Sequence, residues 1–309
     1  MRSRRYTARL AVLLMLPGTL GGCREDPDEA VQIRIATGSP TAVYHAFGQS
    51  LATILNRELP EVEASVVVTA ASAANVELVR TGQAELGFTQ ADVLAPVTTP
   101  TPAVVAVARV YDDLLHLVTT AQSPIRTVAD LRGRRVSLGA PGSGTGITAN
   151  RLLTVAGVAG DVDRHALNLD DSVAALREGR IDAFFFSGGL PVRGVEQLLA
   201  DTAARVVDLG DWIEPLRRNY PEVYVSRDIP RSVYGVDPIT TVANPNYLIV
   251  QADLPDRLVR ELTRLLMERR AELAAAHPAA GRLSPRSAIA TTPLPLHPGA
   301  AAWYRESKP

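Results

Sequence analysis

What this chain lacks narrows it quickly. Across 309 residues there is one cysteine, Cys23, and one lysine, Lys308. A single cysteine closes no internal disulfide and cannot supply a Cys-ligated zinc site. The five histidines, at 45, 116, 165, 277 and 297, never fall at metal-ligand spacing on one element. No Ser/His/Asp arrangement can be assembled without inventing contacts. Asp170-Asp171 is the nearest thing to an acidic dyad. Neighbours at a helix start diverge, however, and Asp is an ordinary cap there. No catalytic group, metal or cofactor is therefore expected. Extended basic runs are also missing, which removes the electrostatic footprint of a nucleic-acid binder.

What is present begins with a leader. Arg2, Arg4, Arg5 and Arg9 precede the apolar run Leu10 to Leu16, and the segment ends Leu20-Gly21-Gly22-Cys23. A basic start, a short apolar core and small residues make a secretory signal, too short for an ordinary spanning helix. Its ending resembles a bacterial lipobox, in which Cys23 is acylated and becomes the first mature residue. Residues 1–22 are thus expected to be a lipoprotein signal peptide and 23–30 an acidic linker, Glu25-Asp26-Pro27-Asp28-Glu29. The protein is expected to be exported, lipid-anchored to a bacterial membrane and facing the periplasm. Four of the 32 Lys and Arg lie in the leader and none of the 33 Asp and Glu, leaving a formal charge of −5. The roughly 290 remaining residues suit two lobes better than one, and none of their apolar runs is long enough to span a membrane.

The stretch from Ile33 to Asp92 organises the body. Apolar runs at Ile33–Thr37, Val66–Thr69 and Leu86–Thr89 alternate with helical patterns, the form of a βαβαβ unit whose strands aim at one crevice. Three polar clusters would line it: Thr37-Gly38-Ser39, Thr69 to Asn75, and Gln90-Ala91-Asp92. Two stand at helix starts, where free N–H groups favour a negative ligand group. Tyr44 can stack and donate. His45 is also placed to touch a ligand, whereas His116, inside the apolar run Leu114–Thr120, reads as a core histidine.

The same construction returns further on. A strand ending at Gly139 runs into Ala140-Pro141-Gly142-Ser143-Gly144-Thr145-Gly146 and the helical pattern Ile147–Ala156. The loop is no Walker A, dinucleotide or hydrolase-elbow sequence. An anion-binding helix start and a merely tight turn both remain open. Helix Asp170–Asp182, strand Ile181–Phe186 and Ser187-Gly188-Gly189-Leu190-Pro191 follow. Asn244-Pro245-Asn246 reads as a turn, Asp256–Ala276 as one amphipathic helix, and the tail as a loop and short helix packing Trp303 and Tyr304 on the first lobe. No arginine can be placed in the crevice. Arg109 and Arg193 are nearest, and each reads as a surface or ion-pair residue.

Together these stretches resemble the TAXI-type solute-binding components of TRAP transporters over residues 33–306. The resemblance is carried by Ala36-Thr37-Gly38 with Tyr44 and Gly48, Ser72 with Asn75, Gly87 to Asp92, Asp130-Leu131-Arg132-Gly133, the loop Gly139 to Thr145, Gly179 to Pro191, and the closing Leu296-His297-Pro298-Gly299-Ala300. Ala71 departs from it, since that family usually has Gly before the serine of the second turn. The resemblance implies an α/β, type II periplasmic-binding-protein-like fold of two α/β lobes joined by hinge strands, with a ligand cleft between them. Lobe I would comprise 31–120 and 228–309, and lobe II 121–227. It further implies capture of a small anionic or zwitterionic ligand, a carboxylate or an amino acid such as glutamate. Lobe closure would precede delivery to TRAP membrane subunits or, alternatively, presentation to a membrane sensor. The site residues expected are Gly38, Ser39, Tyr44, Ser72, Asn75, Gln90 and Asp92 from one lobe. The other contributes Ser143, Gly144, Thr145, Gly188, Gly189 and Pro191. Asp92 either binds a ligand amino group or caps a helix.

Overall fold

A computed structural model describes residues 30–40, 42–94, 103–201, 204–221 and 223–307. The leader, Cys23 and the linker as far as Glu29 lie outside these.

Among the described residues, ten strands form one mixed sheet: β1 (Val31–Ala36), β2 (Val62–Val67), β3 (Leu86–Gln90), β4 (Val104–Thr120), β5 (Arg135–Ser137), β6 (Asp163–His165), β7 (Ala183–Gly188), β8 (Ala204–Val206), β9 (Val225–Ile229) and β10 (Ile239–Gln251). Their order is β2-β1-β3-β10-β4-β7-β5-β6, with β8 added to β4 and β9 to β10. Two parallel blocks, β2-β1-β3 and β7-β5-β6, flank the long antiparallel pair β10/β4. Each block carries helices as crossovers: α1 (Val43–Glu58) and α2 (Ser72–Arg80) in the first, α3 (Gly144–Val155) and α4 (Leu169–Arg177) in the second. This is the expected βαβαβ plan, built twice. α5 (Arg193–Asp201), α6 (Gly210–Asn219), the single turn α7 (Arg231–Tyr234) and α8 (Asp256–Glu268) complete the layers.

Periodicity explains the packing. On α1, Tyr44, Phe47, Leu51, Ile54 and Leu55 fall on one buried stripe at the helical spacing. α8 buries Val259, Leu262, Leu265 and Leu266 in the same core as Val107, Leu248 and Tyr304, each worth about 2 kcal/mol of apolar burial. The C-terminal helix Pro298–Glu306 does pack Trp303 and Tyr304 on that core. His297 caps this helix. Its Nδ1 accepts from Gly299 N–H at 3.1 Å and its Nε2 reaches Leu254 O at 3.0 Å, so the closing motif is a helix start.

Three expectations are corrected. The second strand begins at Val62, not Val66, because Val62 and Ala64 alternate inward with exposed Glu63 and Ser65, whereas Val68 stands 55% exposed. The amphipathic run Asp256–Ala276 breaks at Arg269, where the backbone leaves the helix (φ −95°, ψ 15°). Asn244-Pro245-Asn246 is no turn and lies inside β10. β10 pairs β9 through Ala243 and β3 from Asn246 onward, so Asn244 and Pro245 sit in the gap between those neighbours. On that side Pro245 has no strand neighbour to pair with, and proline is confined in sheets to positions of that kind.

Candidate functional site

That gap is also where the two parallel blocks end. Gln90, the last residue of β3, pairs with Asn246, and Asn246 with Tyr111 of β4. Two residues along, Asn244 pairs with Asp113, while Gly188, the last residue of β7, pairs with Leu114. The register therefore brings the carboxyl ends of two blocks and the middle of two long strands to one place. Helices α2 and α3 begin there, with Ala73 N–H reaching Gly142 O at 3.4 Å.

Gln90 is the hub. Its Nε2 donates to Asp113 Oδ2 at 2.5 Å and Ser187 Oγ at 3.0 Å, and its Oε1 accepts from Asn244 Nδ2 at 3.3 Å. Ser72 Oγ accepts the Gln90 N–H at 3.3 Å and lies 3.3 Å from Tyr44 Oη. Tyr44 in turn donates to Asn246 Oδ1 and stacks on Phe88 with ring centroids 5.3 Å apart. Gly144 backs directly onto Gln90. A Cβ there would lie 1.9 Å from Gln90 Oε1, so only glycine lets the second block approach this closely. Thr145 Oγ1 accepts Ser187 N–H at 3.0 Å. Gly189 packs against the Tyr111 ring and Ala279.

Several expected residues are occupied by the fold itself. Asn75 donates to Thr37 O at 2.5 Å and Phe88 O at 2.8 Å and accepts from Thr69 Oγ1 at 2.5 Å, so its side chain ties the loops after β1 and β2 to β3. Ser143 is the N-cap of α3, accepting Gly146 N–H at 3.3 Å. Gly38 is buried after β1 and Ser39 exposed beside it. Gly188 closes β7, and half-buried Pro191 follows at the mouth of α5. Asp92 caps nothing. Its Oδ2 accepts from Thr148 Oγ1 at 2.7 Å and Tyr224 Oη at 2.9 Å.

Electrostatically the place is acidic. Burial raises the Asp92 carboxyl above its ordinary range, against the pull of Thr148. Burial pushes Asp113 up to about 7, opposed by its bond from Gln90 and assisted by repulsion from Asp112 and Asp92. Tyr44 and Tyr111 are both pushed well up, chiefly by burial and then by Asp113. The arginine that reaches this region is Arg151, absent from the sequence-based set. It donates to Asp92 O at 3.2 Å and Tyr224 Oη at 3.0 Å and lies 4.5 Å over the Tyr220 ring. Arg109 is ion-paired with Asp112 at 2.5 Å, and Arg193 is exposed. His116 is a satisfied core histidine, 2.9 Å from Leu114 O and 3.0 Å from Tyr234 Oη. Sequence reasoning missed Tyr111, Asp113, Thr148, Ser187, Tyr224, Asn244 and Asn246. One signal was readable: Asp112-Asp113 puts two adjacent acids into the mostly apolar run from Val104 to Val118, which also holds Arg109 and His116.

A sequence-family model described as the NMT1-like family matches residues 35–307, and the chain belongs to that family. An ancestral arginine-binding protein bound to arginine is similar in structure, with TM-score 0.53 and 13% identity over 80% of this chain and 96% of that one. A Xanthomonas citri protein bound to ATP matches with TM-score 0.54 and 12% identity, over 90% and 95% respectively. The periplasmic aliphatic sulphonate-binding protein SsuA of Escherichia coli matches at 0.49 and 19%, over 90% and 79%. What is shared at these identities is the fold, that of type II periplasmic-binding proteins. No helix among the described residues is long and apolar enough to cross a membrane.

Proposed function

We propose that the protein is an extracytoplasmic solute-binding protein, anchored through Cys23, that captures a small organic acid or amino acid and hands it to a TRAP-type transporter. One observation supports this most. Two βαβ blocks present strand ends and helix starts to each other through a polar cluster formed by Ser72, Gln90, Asp113, Gly144 and Ser187. Residues 31–120 with 228–309 would form one lobe and 121–227 the other, moving as bodies while β4 and β10 flex. The strands crossing between the blocks are the natural hinge in this arrangement. Closure would bury the ligand, strengthen each hydrogen bond to it, and alter the surface offered to the membrane partner.

The test is thermal unfolding of the purified protein against amino acids, mono- and dicarboxylates, 2-oxo acids and neutral sugars. A ligand at about one hundred times its dissociation constant adds about 2.7 kcal/mol, a shift of several degrees. No shift with any compound, together with no small molecule released on denaturation, would defeat the reading.

A further inference from the structure

The polar cluster around Gln90 holds buried acceptors that no donor reaches. Asp92 Oδ1, Asp113 Oδ1 and Asn244 Oδ1 have no hydrogen-bond partner among the described residues, and the three residues are 1%, 5% and 1% exposed. They belong together: Asn244 lies opposite Asp113 in the β10/β4 register, Gln90 bridges the two, and Asp92 stands two residues beyond Gln90. Most neighbouring donors are assigned to other acceptors; Asn244 lies against the Asp92 carboxyl and Asn246 against the Asp113 carboxyl without closing a hydrogen bond to either Oδ1. Tyr44 Oη serves Asn246, both assigned Gln90 Nε2 bonds go to Asp113 Oδ2 and Ser187, and Thr148 and Tyr224 serve Asp92 Oδ2. Arg151 donates to the Asp92 carbonyl and Tyr224 and lies over the Tyr220 ring; its charge favours the Asp92 carboxylate, but it makes no hydrogen bond to Asp92 Oδ1. Buried acceptors left without donors are rare in folded proteins, and three in one cluster point to a missing partner rich in N–H groups. An anion seated here would meet two carboxylates and an amide oxygen. A protonated amine supplies three donors and the compensating charge. A metal ion is a poorer fit, because among the described residues no group of three His, Cys, Asp or Glu side chains could hold one.

We infer that Asp113, Asp92 and Asn244 form a cation-accepting subsite that selects a ligand carrying a protonated amine. The inference rests on the solute-binding reading and reverses the anionic preference that the helix starts alone suggest. Any acidic group of the same ligand would be left to the N–H groups of α2 and α3.

Matched probes test it: glutamate against glutarate, alanine against propionate, and putrescine against 1,4-butanediol, each followed by thermal shift and calorimetric titration. The expected result is binding by the amine member of at least one pair and at least tenfold weaker binding by its partner. Asp113→Asn should then lower the affinity for that amine at least tenfold, and Asp92→Asn gives the same readout should the first variant fail to fold. Binding of the amine-free members as well as or better than their partners would overturn the subsite while leaving solute binding intact. So would unchanged affinity in a folded Asp113→Asn. If every probe is silent, mass spectrometry of the denatured protein decides. A released amine supports the subsite, a released amine-free molecule overturns it, and an empty site overturns the solute-binding reading with it.

Discussion

The turns that open α2 and α3 bring two helix starts to one site by different means. The α3 turn is self-contained. Gly139 and Gly142 take positive φ of 94° and 72°, and Ser143 caps the helix with its own side chain. The α2 turn has no side-chain cap, and Ala71 holds φ 85°, ψ −148°, close to a region that is essentially glycine-only. Its geometry is imposed from outside. Asn75 ties Thr37 O and Phe88 O, while Thr69 Oγ1 accepts Ala71 N–H at 2.9 Å and donates to Asn75. One turn is written in local conformational preference, the other in tertiary hydrogen bonds.

Breaking the second kind should cost most. Asn75→Ala would remove three hydrogen bonds together, leaving Thr37 O and Thr69 Oγ1 only their mutual bond at 3.1 Å and the Ala71 N–H, a loss of about 3 kcal/mol. Denaturant unfolding would show it as a lower midpoint with unchanged slope. A loss below about 1 kcal/mol would mean that Ala71 is held by something other than this network.

Between the two turns lies Asp113, which belongs to neither. Folded, its carboxyl titrates near 7 because it is buried, whereas an unfolded aspartate titrates near 3.9. The folded state therefore binds more protons between those values, and its stability falls as pH rises through that window. Above about pH 7 the difference levels off at a few kcal/mol at most. Asp112 and Asp92 face the group with like charge, Gln90 and Asn246 oppose them, and Tyr44 and Tyr111 stay neutral throughout. Exposed acids such as Glu77 and Asp130 have lowered values and slope the other way. The informative quantity is thus the difference from Asp113→Asn. The variant should gain on the parent from pH 4 to 7, measured by thermal melts in overlapping buffers. A difference independent of pH would show that Asp113 is ionised across the range.

Gly144 sharpens the comparison from the α3 side. Gly144→Ala would drive a Cβ into a Gln90 side chain held by Asp113, Ser187 and Asn244, a cost of about 2 kcal/mol by overpacking. Adding Gln90→Ala should recover part of it, because the double variant removes the obstacle. Strictly additive losses would show that the two residues do not meet.

These contrasts also explain what could be read from the sequence. The βαβ units, the α3 loop and the amphipathic face of α1 follow from local spacing, and local spacing is what a sequence displays. Gly144, Gln90 and Tyr44, which the structure brings together, could be read as candidates because they flank such signals. Asp113, Asn244 and Asn246 could not, because their meeting depends on the β10/β4 register and on a gap between β9 and β3. A proline flanked by asparagines normally marks a turn, but here it sits in a central strand, paired with Asp112 of β4 on one side and facing the gap between β9 and β3 on the other. Asn75 could be read as a candidate from its place at the second turn. It is at the site, but its hydrogen bonds serve the loops.

The smallest effects separate the two turns most cleanly, because they have opposite signs. Ser143→Ala removes a helix cap and should lower stability by about 1 kcal/mol. Ala71→Gly removes the strained Cβ from a backbone already shaped for glycine, and should raise stability by about 1 kcal/mol, once the greater freedom of the unfolded chain is allowed for. The same substitution leaves the Asn75 network in place, so the gain should persist when ligand is bound. If Ala71→Gly is destabilising, the surrounding hydrogen bonds do not enforce the positive φ. The turn would then relax once the Cβ stops resisting it, and α2 would present its N–H groups to the site less rigidly than α3 does.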